Sequence, residues 1–137
     1  MLYRNLCVLF CGLVVLLSCN PRLPEDVAVE YKKISKSPDY NKDVKPILSD
    51  KCFSCHGPDK AKQKAGLRLD VQESAFASLE ENPGKVAIDP GNVSGSELYH
   101  RIISRDPEYL MPSPESHLTL TAKEKAVLLK WIDEGAI

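Results

Sequence analysis

An all-α fold built around one covalent cofactor is what this sequence predicts, and three observations predict it. Apolar residues recur at helical spacing in several short stretches and almost nowhere alternate as strands do. Ser94-x-x-Glu97 and Thr121-x-x-Glu124 are capping boxes, which open helices. Cys52-Phe53-Ser54-Cys55-His56 is the Cys-x-x-Cys-His pattern of c-type haem attachment. Ten prolines are many for this length and place irregular loops between short helices.

The chemistry explains the spacing of the five-residue motif. Two thiols three residues apart at a helix end can each add to one vinyl group of a porphyrin. Cys52 and Cys55 are thus the candidate thioether positions of one haem c. His56 then lies beneath the ring as the proximal iron ligand, and a Met opposite it completes a common pairing. Met111 is the candidate distal ligand. Met1 goes with the export signal, so Met111 stands alone, in a loop rather than on an apolar helix face. Pro112 stiffens the backbone after it. His100 and His117 are the alternatives, and both read as exposed surface histidines. A zinc site would want four ligands, and the chain has no second Cys/His pair. A thiol redox centre would want a βαβ context that the pattern lacks. Arg68, Arg101 and Trp131 are donors of the type that haem propionates accept, with Trp131 better read as a core anchor.

Length and composition set the frame. The 137 residues make one domain at most, and a net charge of −1 without a basic patch excludes nucleic acid as a partner. The five cysteines form no disulfide framework, because Cys7, Cys11 and Cys19 lie in or at the end of an apolar N-terminal run. A small domain without disulfides needs another source of core, and a largely apolar haem supplies it.

In chain order, residues 1–18 read as a secretory signal, with a short positive start and an apolar run from Leu6 to Leu17 that is too short to span a bilayer. Leu16-Leu17-Ser18-Cys19 resembles the bacterial lipobox, which makes Cys19 a lipidated mature N-terminus. More than one acyl chain gives stable anchoring. Residues 19–40 read as a lipidated flexible tether, with one candidate helical turn near Glu25–Lys33. As a coil it would hold the domain ~25 Å from the membrane. The folded domain is expected over 41–137. Asp43 is its expected first N-cap, and Pro46 sits in a first helical turn. Gly57-Pro58 stops the motif helix, and Asp70 is expected to cap a helix from Val71 to about Leu79. Asn82-Pro83-Gly84 and Asp89-Pro90-Gly91-Asn92 read as turns. Ser94 is expected to open a helix over Gly95–Ser104. A last helix runs from Ala122 to about Glu134 and stops at Gly135.

Several ordered blocks carry a family resemblance. They are Val44-Lys45-Pro46-Ile47-Leu48, the Cys52–Asp59 stretch, Gly66-Leu67-Arg68-Leu69-Asp70, Pro90-Gly91 with Ser96-Glu97-Leu98, Met111-Pro112, and Trp131 to Ala136. Together they resemble the planctomycete-type cytochrome c domain, a haem module of exported bacterial proteins, over about residues 41–137. The resemblance implies a mono-haem, mostly helical cytochrome c-like fold with Cys52, Cys55, His56 and Met111 in the roles given above.

The function expected is one-electron transfer at a membrane-tethered, His/Met-ligated haem. The chain would be a carrier rather than an enzyme, meeting redox partner proteins in the cell envelope. Its location would be the periplasmic or outer-surface side of a membrane. The alternative expectation is the N-terminal electron-entry module of a larger, split or truncated exported haem enzyme, because family members often continue into much longer chains. A haem enzyme or gas sensor would need an exchangeable sixth position, which Met111 argues against.

Overall fold

The computed structural model describes residues 21–137, and the signal and Cys19 lie outside them. Among the described residues helices dominate. They are α1 (Glu25–Lys33), α2 (Lys45–Lys51), α3 (Phe53–His56), α4 (Gln72–Phe76), α5 (Glu97–Ile103) and α6 (Ala122–Asp133). A π-helical turn over Tyr40–Val44 leads into α2, and 3-10 turns occupy Val93–Gly95 and Pro114–Ser116. One antiparallel hairpin, β1 (Ser78–Leu79) with β2 (Asn82–Val86), is the only sheet among these residues.

The longest helix, α6, is the spine. Thr121 caps it by accepting from the Glu124 N–H while Glu124 accepts from the Thr121 N–H, the reciprocal box read from the sequence. Its stripe of Ala126, Leu128, Leu129, Trp131 and Ile132 is buried. Val27, Val44, Leu48, Ile88 and Ile102 pack with it in one core. Gly135, at φ 97°, ends it in the left-handed region that suits glycine. Trp131 is a core residue, as expected, with Nε1 donating to the Ile137 carbonyl at 2.8 Å and its ring tilted against Tyr40.

The expected tether over 19–40 is corrected where the structure describes it. Residues 25–33 are a full helix packed along α6, so the folded unit begins well before Asn41. Leu23, Val27 and Tyr31 recur at i, i+4 and i+8 and face the core, Val27 at 1% exposure. Acidic residues begin α1 and lysines end it, which suits the helix dipole.

Smaller corrections concern where elements begin. Asp39, not Asp43, caps the turn before α2: it accepts from the Lys42 N–H, and Asp43 accepts in return from the Asp39 N–H. Asp70 does not cap α4, because its carboxylate is engaged by Arg68; α4 also ends at Phe76, short of Leu79. The Ser94 box does not form. Asn92 accepts from the Gly95 N–H, making the 3-10 turn, and α5 starts two residues later at Glu97. Asn82-Pro83-Gly84 lies within β2, so the reversal falls just before it.

Candidate functional site

The short α3 begins where α2 breaks. The Cys52 N–H donates to the Leu48 carbonyl, and the Cys55 and His56 N–H groups both donate to the Cys52 carbonyl. The sequence folds this way because Gly57 follows. A Cβ there would lie 2.4 Å from the Phe53 carbonyl oxygen, so only glycine lets the chain leave α3 at this angle. The loop after it returns to the motif. The Lys64 N–H donates to the Cys55 carbonyl at 2.9 Å and the Leu69 N–H to the His56 carbonyl at 2.8 Å. The backbone carbonyls of the motif are thereby held, and its side chains are left to face a cavity.

That cavity has a volume of about 640 Å³, within the roughly 300–1,000 Å³ range of small-molecule and cofactor sites. Cys52, Cys55, His56 and Met111 all line it, together with apolar Leu67, Leu69, Leu98, Ile102 and Leu120. Lys51, Lys64, Glu81 and Glu115 bring charge to the same cavity. The structure thus brings together all four residues singled out as cofactor ligands, from α3 and from a loop 55 residues further on. Met111 is placed by the end of α5, its N–H donating to the Arg101 carbonyl at 3.1 Å.

The donor set matches a haem better than the alternatives. Both thiols are free, and burial pushes the Cys52 thiol up to about 12, with Cys55 beside it adding to the shift. A thiol so raised stays protonated at neutral pH in the metal-free chain, which does not suit a redox nucleophile. No group of three or more metal-binding side chains exists among the described residues. Burial lowers the His56 pKa; the Lys64 backbone opposes this and the Arg101 charge adds to it. The imidazole is therefore neutral at pH 7. Its Nδ1 is buried, with no partner in good hydrogen-bond geometry, the Lys64 backbone being the polar group that acts on the ring. An apolar chamber with two thiols, a neutral imidazole and a thioether on its walls fits a covalent haem.

The other sequence candidates go elsewhere. His100 is exposed, its Nε2 2.8 Å from the Ser94 carbonyl, and His117 is exposed in a left-handed turn. Neither lines the cavity. Arg68 forms a two-point pair with Asp70, at 3.1 and 2.5 Å, and stays off the cavity wall. Arg101 does line it.

Sequence reasoning missed a cluster beside Met111. Glu97, 4% exposed, accepts from the Tyr109 hydroxyl and pairs with Lys85 at 3.1 Å and Arg101 at 3.6 Å. Burial would raise the Glu97 pKa, but the hydrogen bonds from Tyr109 and Lys85, with the Lys85 and Arg101 charges, outweigh it and hold the carboxyl below its usual value. The i, i+4 spacing of Glu97 and Arg101 was the available signal.

Comparison with known proteins agrees with this site. The family model for planctomycete cytochrome C matches residues 52–115. No curated protein and no solved structure matches the chain. The matched stretch opens on Cys52-x-x-Cys55-His56 and takes in Met111, so residues 52–115 carry the likeness to the planctomycete cytochrome C family.

Proposed function

We propose that this chain is a membrane-tethered c-type cytochrome that passes single electrons through one covalent haem with His56 and Met111 as axial ligands. The observation that carries the reading is the shared cavity: two thiols, an imidazole and a thioether line one apolar chamber of about 640 Å³. When bound, haem c supplies a ferric/ferrous one-electron couple.

The chain's own residues do the rest. Cys52 and Cys55 would hold the group by thioether bonds, so that it cannot dissociate. His56, kept neutral by burial, offers a lone pair at pH 7. The soft thioether of Met111 favours the reduced metal and raises the potential relative to two histidines. Leu67, Leu69 and Ile102 give the chamber apolar walls. With His56 and Met111 both holding the iron, no position would be left for a substrate, which favours a carrier over an enzyme. A carrier needs small, short-lived contacts, and its partners would be redox proteins of the cell envelope. No helix among the described residues is long and apolar enough to cross a membrane; the proposed tether is the lipid at Cys19.

Voltammetry of protein matured with the haem-attachment machinery tests the reading. One reversible one-electron wave is expected, with haem colour retained on a denaturing gel. Haem that extracts freely, or robust turnover with peroxide, nitrite or sulfur compounds, would overturn it.

A further inference from the structure

We infer that Glu97 is a positioning residue for Met111: its buried carboxylate clamps the loop over residues 105–112 to α5 and so fixes where the thioether lies in the cavity. This rests on the reading of Met111 as an axial ligand.

The loop between α5 and the Pro114–Ser116 turn has no helix or strand of its own. A segment of that kind samples many positions unless it is tied down. Two ties fasten it to α5. The Tyr109 hydroxyl donates to Glu97 Oε1, and the Met111 N–H donates to the Arg101 carbonyl at 3.1 Å. Glu97 and Arg101 are four residues apart, so both ties reach one face of one helix. The Arg101 guanidinium lies 4.2 Å from the centre of the Tyr109 ring, and its Nε is 3.6 Å from Glu97 Oε1. One arginine therefore covers the tyrosine and steadies the carboxylate. Lys85, from β2, reaches Glu97 Oε2 at 3.1 Å.

The burial of Glu97 is informative. A carboxylate out of water is disfavoured unless it is paired and hydrogen-bonded, and half-exposed Lys85 could meet an exposed acid equally well. Tyr109 meets the carboxylate from the loop, its hydroxyl donating to Oε1. Glu97, Arg101 and Met111 all line the cavity, whereas Tyr109 stands behind it. Glu97 is joined to the loop that carries Met111 through Tyr109 and Arg101.

The test uses the full chain with haem attached, as Glu97→Gln, Tyr109→Phe and the double variant. Three readouts are compared: the weak far-red charge-transfer band of sulfur-ligated haem on heating, the rate of cyanide binding, and global unfolding by far-ultraviolet circular dichroism. A loosened loop spends more time with the thioether away, and cyanide samples that minor state. Each single variant should lose the band well below its own unfolding midpoint and bind cyanide at least tenfold faster. The double variant should be less than additive, because Glu97→Gln turns the Tyr109 bond from charge-assisted to neutral and Tyr109→Phe removes it. Band and fold lost together, or cyanide rates within twofold of wild type, would reduce Glu97 to a residue of general stability. Should Glu97→Gln fail to fold, Tyr109→Phe alone decides between the same two results. A wild type with no band removes Met111 as ligand and the clamp with it; a wild-type band with unaffected variants removes only the clamp.

Discussion

Tyr31 in α1 donates its hydroxyl to Asp133 at the end of α6, 2.5 Å away across 102 residues of sequence. The Lys130 ammonium lies over the same tyrosine ring at 5.2 Å. These contacts make the N-terminal segment part of the fold, and they predict that it contributes stability. Tyr31→Phe should cost about 1 kcal/mol, the usual worth of one hydrogen bond. Val27→Ala, which empties a fully buried site, should cost about 2 kcal/mol. Urea titrations of both variants measure this. Wild-type stability in both would mean that α1 is loosely attached.

The same helix shows where sequence reasoning succeeds and where it stops. Cys52, Cys55 and His56 stand out in the sequence because their motif is a fixed local spacing, and the structure places all three on one cavity wall. Thr121-x-x-Glu124 is legible because a capping box is a contact within four residues. The docking of α1 was partly legible: Leu23, Val27 and Tyr31 keep a helical period, but nine residues with few apolar side chains look like solvated chain until α6 is placed beside them. The Glu97–Tyr109 bond was not legible. It joins a helix start to an irregular loop, and no period relates positions 97 and 109. Ser94 misled because its hydroxyl donates to Asn92, whose side chain accepts from the Gly95 N–H and makes a 3-10 turn there.

The lipidation proposed at Cys19 would have a geometric consequence. The Tyr99 hydroxyl holds the Arg22 carbonyl at 3.0 Å, so the chain is fastened to the domain three residues after Cys19. Three extended residues span at most ~11 Å, less than half the reach expected of a free tether. Mass spectrometry of the mature N-terminus should find a lipidated Cys19, and Cys19→Ala should release the protein from membranes. On vesicles, a fluorophore on the domain should be quenched strongly by labelled headgroups. An unmodified Cys19 thiol on the mature protein would refute the anchor, and weak quenching of a lipidated protein would refute the close approach.

Met111→Ala should leave the haem attached through Cys52 and Cys55 but remove its distal ligand. The expected results are loss of the far-red band, a lower potential and rapid binding of cyanide or carbon monoxide. His100 and His117 lie off the cavity and should not take its place. A spectrum unchanged in this variant would mean that another group holds the iron.

Acid sensitivity provides the last prediction. The Glu97 carboxyl titrates below its ordinary value of 4.5 in the folded chain: burial alone would raise it, but the Tyr109 and Lys85 hydrogen bonds and the Lys85 and Arg101 charges win. A carboxyl whose folded pKa is depressed binds its proton more readily when the chain is unfolded. Its contribution is therefore complete above pH 4.5 and is lost as the pH falls from there through the folded value. In Glu97→Gln, which carries no titrating proton at this position, that part of the acid loss disappears. Urea unfolding at pH 7 should thus find the variant less stable than wild type, since Tyr109 and Lys85 lose a charged partner. Below pH 4.5 the two curves should converge, while the slope shared with other paired carboxylates, such as Asp70 beside Arg68, remains in both. A stability difference that stays constant from pH 7 to pH 3 would show that Glu97 gains nothing from its charge and that the cluster is held by packing instead.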